Sequence, residues 1–198
     1  QILFPILETL IINFPDSLFS IDTFRSEIAK KSIEIGASII NDISGGKFDK
    51  KMFEVIAKNK VPYVMMHMKG TPMTMQLNPE YKNVVIDVLN FFVKQVKIAQ
   101  DIGVTDIIID PGFGFGKSLD HNFELLKGLN LFKKISCPIL IGLSRKSMIY
   151  NILNGNPNKS LNGTTILNTF ALINGANIIR VHDVKEAKEC ITLCEYLY

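Results

Sequence analysis

Six short apolar runs, each ending in a polar or charged cluster, restrict the fold of this chain more than any single motif does. The clusters are Ser20-Ile21-Asp22, Ile40-Asn41-Asp42, Met66-His67, Ile109-Asp110-Pro111, Gly142 to Lys146 and Arg180 to Asp183. A stretch with the pattern of a helix follows each run. Alternating strands and helices build a parallel sheet, and in a (β/α) barrel the carboxyl ends of the strands carry the active site. The sequence therefore predicts an α/β enzyme whose site is assembled from six strand ends.

The number of strands sets the expected architecture. Strands are predicted near 18–22, 37–43, 62–67, 106–110, 138–143 and 177–182, and helices over 2–13, 25–35, 49–59, 81–102, 119–134, 161–174 and 184–197. A complete (β/α)8 barrel has eight strands and typically ~250 residues, whereas this chain has 198 residues. We therefore expect one domain over 1–198, a TIM-type (β/α)8 barrel truncated to six parallel strands with helices outside. Its first strand, first helix and second strand would be missing. The alternative is a six-stranded open sheet, which would leave an exposed edge.

Composition narrows the class of protein. The chain is 47% hydrophobic, which suits an α/β fold with strands buried on both faces. Its net charge of +3, without long basic runs, suits an anionic small substrate and is weak evidence for nucleic acid binding. No apolar run approaches the roughly 20 residues of a membrane span. Three cysteines, Cys137, Cys190 and Cys194, do not make a disulfide framework. We expect a cytoplasmic protein with reduced thiols that binds neither a membrane nor nucleic acid.

The segment from Asp110 to Ser118 is rich in glycine. It is not a phosphate-binding P-loop, because Pro111 stands where that motif needs its first glycine, and its G-x-G-x-G spacing does not match the dinucleotide fingerprint. A glycine-rich turn lets the backbone approach a ligand closely, and Phe115 within it would stack on a flat ring. A plain loop that joins a strand to a helix is the alternative.

Carboxylate and amide side chains at the strand ends predict a ligand that carries N–H groups. Buried at the ends of apolar strands, Asp22 and Asp110 would each demand hydrogen-bond donors, although either residue would also serve as a helix cap. Asn41 offers a donor and an acceptor, which suits the edge of a heterocycle. Asp42 is its alternative, or the residue that holds the turn at Ser44-Gly45-Gly46.

Cations follow the last two strands. The segment 144–147 contains two adjacent cations, a pattern that is also typical of a solvated surface. Arg180 and His182 are two residues apart, so within a strand they would point to the same side and converge on one anion. Asp183, with Glu186 three residues later, has the pattern of the N-cap of the final helix.

The histidines do not predict a metal centre. His67 follows a strand and is more often a packed structural residue than a catalyst. His121 lies where a helix starts and is expected to be solvated. No spacing of histidine and carboxylate matches a protein zinc site.

Six motifs in this order resemble those of the dihydropteroate synthases, from about Ile21 to Asp183. The matching segments are Ser20–Phe24, Ile39–Ile43, Met65–Met68, Asp110–Lys117, Gly142–Ser147 and Arg180–Asp183. Each motif is modest alone, but six in sequence are specific. The resemblance implies a barrel transferase of folate biosynthesis and a target of sulfonamides. It would join p-aminobenzoate to 6-hydroxymethyl-7,8-dihydropterin pyrophosphate, releasing pyrophosphate and forming 7,8-dihydropteroate.

The resemblance also assigns roles to side chains by position. The edge of the pterin would be hydrogen-bonded by Asp22, Asn41 and Asp110, and its ring reached by Lys146. The flat pocket would be lined by Met66, Phe115 and Gly142. The pyrophosphate would be held by Arg180 and His182, and the p-aminobenzoate would lie beside Ser144 and Lys146. The catalytic residues implied in this way are Lys146, Arg180 and His182.

A cofactor and a partner are implied as well. Mg²⁺ would travel with the substrate pyrophosphate, since magnesium pairs with phosphates and keeps its waters. The family's asparagine near the metal lies on the first strand, so no metal ligand is expected in this chain. Without that strand and the first two loops, the chain alone is expected to be impaired or inactive. A homodimer through the last helices is also implied.

Two other functions remain open at this stage. A pterin-binding methyltransferase domain would share the pocket of Asp22, Asn41 and Asp110, but Lys146 and the pair Arg180 and His182 would then lack an anion. A non-catalytic pterin-binding module is the second alternative.

Overall fold

The computed structural model describes residues 2–197, which form two compact units. The first unit comprises the chain up to Met66 together with Phe92–Ile108. The second unit comprises His67–Phe91 and the chain from Ile109 onward. Within residues 2–197, no helix has both the length and the apolar character needed to cross a membrane.

The first unit is built on a parallel sheet. Its strands are β1 (Ser20–Asp22), β2 (Ile39–Asp42), β3 (Tyr63–Met66) and the first half of β4 (Ile107–Asp110), adjacent in that order. Its helices are α1 (Leu3–Asn13), α2 (Ser26–Ile35), α3 (Met52–Asn59) and the greater part of α4 (Val84–Ile102). In the sheet, Ile21 pairs with Ile40, and Ile40 pairs with Tyr63. Every residue of β3 is buried, which is typical of a parallel strand covered on both faces.

The second unit contains the end of β4 and two short strands. These are β5 (Leu140–Ile141) and β6 (Ile178–Ile179), which pair in parallel, and Ile109 of β4 forms an isolated bridge with Ile139. The helices are α5 (Leu119–Lys127), α6 (Ser147–Tyr150), α7 (Leu161–Ile173) and α8 (Val184–Glu195), with 3₁₀ segments at Leu129–Ile135 and Pro157–Lys159. The strand ends that carry the predicted cations therefore belong to this unit.

All six predicted strands are present, although each is shorter than its apolar run. The helix predicted over 119–134 is interrupted, because α5 ends at Lys127 and a 3₁₀ segment begins at Leu129. Gly128 lies at the break, where a Cβ atom would meet Cγ1 of Val85 at 2.7 Å. Helix α6 was not predicted, because four residues are too short to show a helical period.

Candidate functional site

Two predicted pterin-binding side chains meet at the ends of β1 and β2. Asp22 lies opposite Asn41 in the sheet, and Nδ2 of Asn41 donates a hydrogen bond of 2.6 Å to Oδ1 of Asp22. The predicted burial of Asp22 is wrong: it is exposed, because β1 is the first strand of its sheet. It borders a cavity of about 360 Å³ with Phe24 and Arg25. Met66, the third predicted residue of this unit, is buried at the end of β3.

Asp42 holds the turn after β2, which confirms one of its two predicted roles. Its buried carboxylate accepts hydrogen bonds from the backbone N–H and the hydroxyl of Ser44, both at 2.7 Å, and from the backbone N–H of Gly46 at 2.9 Å. The hydroxyl of Tyr63 donates a further bond of 2.7 Å. Since the carboxylate of Asp42 already accepts these hydrogen bonds from the protein, Asn41 is the better candidate for a ligand contact at this strand end.

The glycine-rich loop after β4 needs glycine at alternate positions. The φ angles of Gly112, Gly114 and Gly116 are 70°, 82° and 63°. These values lie in the left-handed region, which residues with a Cβ atom rarely adopt. At Gly116 the backbone also approaches closely, since a Cβ atom would lie 2.5 Å from the carbonyl oxygen of Lys69. The G-x-G-x-G spacing therefore reflects the path of the backbone.

Gly116→Ala is expected to lower the free energy of unfolding by about 2–3 kcal/mol, because the added methyl group would collide with backbone and strain φ. For a domain of this size the melting temperature would fall by about 5–10 °C, as measured by thermal denaturation. Gly155→Ala is the matched control, since a Cβ atom there meets nothing nearer than 4.0 Å. Equal melting temperatures for both variants would contradict the close approach.

A buried lysine lies at the centre of this loop. Nζ of Lys117 donates hydrogen bonds to the carbonyl oxygens of Gly112 at 2.9 Å and Phe115 at 3.1 Å, and lies 3.1 Å from Nδ1 of His67. Oδ1 of Asn122 accepts a bond of 2.7 Å from the backbone N–H of Gly114. The loop is thus fixed from inside by polar side chains that sequence reasoning did not assign to it.

The histidines near the loop are structural. His67 is buried and packs its ring edge-on against Phe91, with 5.0 Å between centroids, which confirms the packed alternative. The prediction that His121 is solvated is wrong, because its side chain is partly buried. It forms a capping box with Ser118 at the start of α5 and packs against Tyr81 at 4.9 Å.

Asp110 is a buried carboxylate among cations. Its Oδ1 accepts a hydrogen bond of 2.8 Å from the backbone N–H of Gly112. Burial raises the pKa of Asp110, while the positive charge of Lys146, this hydrogen bond, and the charges of Lys117 and Arg180 oppose the rise. Unlike Asp22, Asp110 is buried as predicted.

Lys146 lies in a narrow space between the glycine-rich loop and β5. Its Nζ donates to the carbonyl oxygen of Phe113 and lies 5.1 Å from the centroid of the Phe115 ring. A Cβ atom at Gly114 would lie 3.5 Å from Cδ of Lys146, and a Cβ atom at Gly142 would lie 3.9 Å from its Nζ. The solvated-surface alternative is therefore wrong for Lys146. Burial lowers its pKa, Asp110 opposes this, and Arg180 adds to it.

Arg180 and His182 lie beyond the end of β6 at Ile179, so the predicted strand alternation does not determine where they point. The backbone N–H of Arg180 still donates to the carbonyl of Ile141 at 2.8 Å. His182 is held instead by Ser144, whose buried hydroxyl lies 2.9 Å from Nδ1 and accepts from the backbone N–H at 3.2 Å. Ser144 thus orients His182, and its predicted proximity to p-aminobenzoate stays a prediction.

Asp183 pairs with Arg145, a contact that the sequence did not predict. It stands at the N-cap position of α8, but its side chain makes no capping hydrogen bond. Instead it accepts from Nε of Arg145 at 3.1 Å and from Nη2 in a bidentate ion pair. Arg145 has a φ of 56°, and its backbone N–H donates to the hydroxyl of Thr164 at 3.2 Å.

This ion pair predicts a pH dependence of stability. The hydrogen bond and charge of Arg145 lower the pKa of Asp183. Its contribution is therefore complete above the pKa of an unfolded aspartate and is lost as the pH falls through the depressed value. Asp183→Asn should lower the melting temperature at pH 7 and flatten its acid dependence in thermal denaturation between pH 7 and 2. Asp16→Asn, at an exposed position, is the control; identical acid profiles for Asp183→Asn and the parent chain would contradict the assignment.

The side chains present do not fit a resident metal ion. Among residues 2–197, no group of three or more His, Cys, Asp or Glu side chains is arranged to hold one. The second unit places the cations Lys146 and Arg180 near the ends of its strands, and cations in such a position suit an anionic ligand.

The fold is that of the pterin-binding barrel enzymes. The chain belongs to the family described as pterin binding enzyme, whose sequence profile matches residues 1–182. Its solved relatives share the whole described architecture, so the fold is a TIM-type (β/α) barrel with six of its strands in this chain.

Curated relatives of the chain include several dihydropteroate synthases. The enzyme of Escherichia coli strain K12 is 39% identical over 197 residues, which cover 98% of this chain and 69% of that protein. A crystal structure of the Yersinia pestis dihydropteroate synthase with a sulfonamide drug complex superposes with a TM-score of 0.92 at 37% identity, covering 98% of this chain and 71% of that one. The Thermus thermophilus enzyme in complex with 4-aminobenzoate gives a TM-score of 0.93 at 35% identity, covering 99% of this chain and 80% of that one.

Proposed function

We infer that this chain belongs to an enzyme that catalyses the dihydropteroate synthase reaction of folate biosynthesis, and the chain alone is still expected to be impaired or inactive. In this transfer, p-aminobenzoate and 6-hydroxymethyl-7,8-dihydropterin pyrophosphate form 7,8-dihydropteroate and pyrophosphate. One observation carries the assignment: the buried carboxylate of Asp110 interacts with the charges of Lys146 and Arg180, and Nζ of Lys146 lies 5.1 Å from the centroid of the Phe115 ring. A flat heterocycle with N–H donors and an anionic tail matches those groups. The Thermus thermophilus relative binds 4-aminobenzoate, the second substrate of this reaction.

For pterin recognition, we propose that the Asp110 carboxylate accepts from ring N–H groups, that Lys146 donates to the ring, and that Phe115 stacks on its face. Gly142 would leave room for the ring, because a side chain there would stand near Nζ of Lys146. Asp22, Asn41 and Met66 are further proposed pterin-binding residues.

For the chemistry, we propose a dissociative route. The exocyclic C–O bond breaks first, and the carboxylate on the pterin N–H groups favours the positive charge that grows on that carbon. Arg180 and His182 stabilise the negative charge on the leaving pyrophosphate. The amine of p-aminobenzoate then forms the new C–N bond and loses a proton. Because the Ser144 hydroxyl contacts Nδ1 of His182, the Nε2 atom of that imidazole lies on the side of the ring away from Ser144.

Magnesium remains a proposal that rests on the substrate. Because the described side chains do not fit a resident ion, no step above passes through one. We propose that Mg²⁺ arrives coordinated to the oxygens of the pyrophosphate.

A homodimer and a cytoplasmic location are also proposed. Helices α7 and α8 border a groove of about 540 Å³ lined by apolar and small polar side chains, and Leu193 and Leu197 beside it are 68% and 67% exposed. A second copy of the chain would cover these side chains. Cys137, Cys190 and Cys194 are free thiols, as is usual in the cytoplasm.

The direct test is the formation of dihydropteroate from labelled p-aminobenzoate, the pterin pyrophosphate and Mg²⁺, after circular dichroism shows the chain folded. Product formation would establish the reaction. Binding of the pterin pyrophosphate without product would leave two alternatives, a non-catalytic pterin-binding module and a truncated synthase, and the same assay on the full-length protein would decide between them. Binding of pterin and a methyl donor would favour the methyltransferase alternative, in which Lys146 and Arg180 would have no substrate anion to bind.

A further inference from the structure

Lys117 has contacts that the proposed chemistry does not use. We propose that Lys117 is a positioning residue, which holds the glycine-rich loop so that Asp110 and Phe115 are placed for pterin binding. This inference deepens the proposed function and rests on it. The residue itself is 3% exposed and has no direct role in the proposed reaction.

The ammonium group of Lys117 matches its surroundings. An ammonium has three N–H donors, and three acceptors lie within reach: the carbonyl oxygens of Gly112 and Phe115 and Nδ1 of His67. With Nδ1 accepting, the neutral imidazole of His67 carries its proton on Nε2. A buried charge is tolerated when it is satisfied in this way, and removing it would leave buried carbonyl groups without this donor.

Both backbone groups that Lys117 binds belong to residues in contact with the proposed site. Gly112 accepts from Lys117 through its carbonyl and donates its N–H to Oδ1 of Asp110 at 2.8 Å. Phe115 accepts through its carbonyl, while its ring centroid lies 5.1 Å from Nζ of Lys146. One buried cation therefore fixes the backbone beside the carboxylate and the backbone of the stacking ring.

Lys117 also contributes charge. The groups that act on Asp110 are the cations Lys146, Lys117 and Arg180 and the backbone N–H of Gly112, and all of them lower its pKa against the effect of burial. Without Lys117, Asp110 would take up a proton at a higher pH. Pterin binding through the ionised carboxylate is present above that pKa and is lost as the pH falls through it.

The experiment is calorimetric titration of the chain with 6-hydroxymethyl-7,8-dihydropterin pyrophosphate between pH 4 and 8. It compares the parent chain with Lys117→Met and Lys117→Arg. Lys127→Met is the matched control, because Lys127 is an exposed lysine in the last turn of α5. We expect Lys117→Met to weaken binding at pH 7 at least tenfold and to move the acid loss of binding to higher pH. Lys117→Arg should keep the acid midpoint of the parent chain but bind more weakly, since a planar guanidinium cannot reproduce the three ammonium contacts.

The outcomes separate the two hypotheses. If the parent chain does not bind the pterin, the proposed function fails, and this inference fails with it. If the parent chain binds and Lys117→Met keeps both affinity and acid midpoint, only the role of Lys117 is overturned. Weaker binding with an unmoved midpoint would overturn the charge contribution, since a purely structural lysine predicts that result. If Lys117→Met does not fold, Lys117→Arg decides, because parent-like affinity would overturn the positioning role.

Discussion

In the intact protein, Lys146→Ala is expected to lower kcat/KM for the pterin pyrophosphate about a thousandfold, to a level at which turnover is hard to detect. The substitution removes a donor that is held beside Phe115 in a largely desolvated space, where loss of a single preorganised donor costs about 10²–10³ in rate. It also removes the cation that most strongly lowers the pKa of Asp110, so a larger fraction of that carboxylate is neutral at a given pH. Binding and rate should therefore fall together.

Steady-state kinetics and pterin titration of Lys146→Ala and Lys146→Met measure this effect. The methionine variant keeps most of the stem that lies against Gly114, so it separates lost packing from lost charge. Lys127→Ala, at an exposed position, controls for net charge. A rate near that of the parent chain in both Lys146 variants would remove Lys146 from the site.

In the intact protein, Arg180→Ala is expected to lower kcat/KM by at least about a hundredfold through loss of contacts with the pyrophosphate rather than with the pterin ring. A guanidinium binds phosphate oxygens as a planar fork, and a cation placed there stabilises the charge of the leaving group. The affinity for 6-hydroxymethyl-7,8-dihydropterin, which lacks the pyrophosphate, should change little. The conservative variant Arg180→Lys should keep only part of the rate, because the point charge of an ammonium does not reproduce the fork.

The measurement for Arg180 is a comparison of two ligands. Titrations with the pterin alcohol and with its pyrophosphate are made on the parent chain and on Arg180→Ala, beside the kinetics. An equal loss of affinity for both ligands would contradict a contact with the pyrophosphate. It would favour a role of Arg180 through Lys146, whose pKa it lowers.

The strands and the order of the strand-end clusters were accessible from sequence, because buried parallel strands are continuous apolar runs and their carboxyl ends are polar. Asp110 and the glycine pattern after it were found for the same reason. The burial of individual residues could not be predicted from the sequence. Asp22 and Asp110 have the same local pattern, yet one is exposed at the first strand of a sheet and the other is buried.

The hydrogen-bond partners of individual side chains could not be predicted from the sequence either. Nothing local distinguishes Asp183 as an N-cap from Asp183 as the partner of Arg145, because the two residues are 38 positions apart. Likewise, Pro111 excluded a phosphate-binding P-loop, but nothing in the sequence indicated that Lys117 is buried among carbonyl groups. Contacts between distant segments depend on tertiary packing, which local periodicity does not encode.

Two side-chain contacts that follow β5 and β6, between Ser144 and His182 and between Arg145 and Asp183, affect the register of these strands. Backbone pairing covers two residues on each strand, with Leu140 opposite Ile178. Immediately beyond it, Ser144 bonds to His182 and Arg145 bonds to Asp183, so consecutive side chains on one segment meet consecutive side chains on the other. A slip of one residue would break both bonds at once and turn each apolar strand residue to the opposite face. Four polar side chains outside the two short strands thus reinforce the register that their backbone pairing sets.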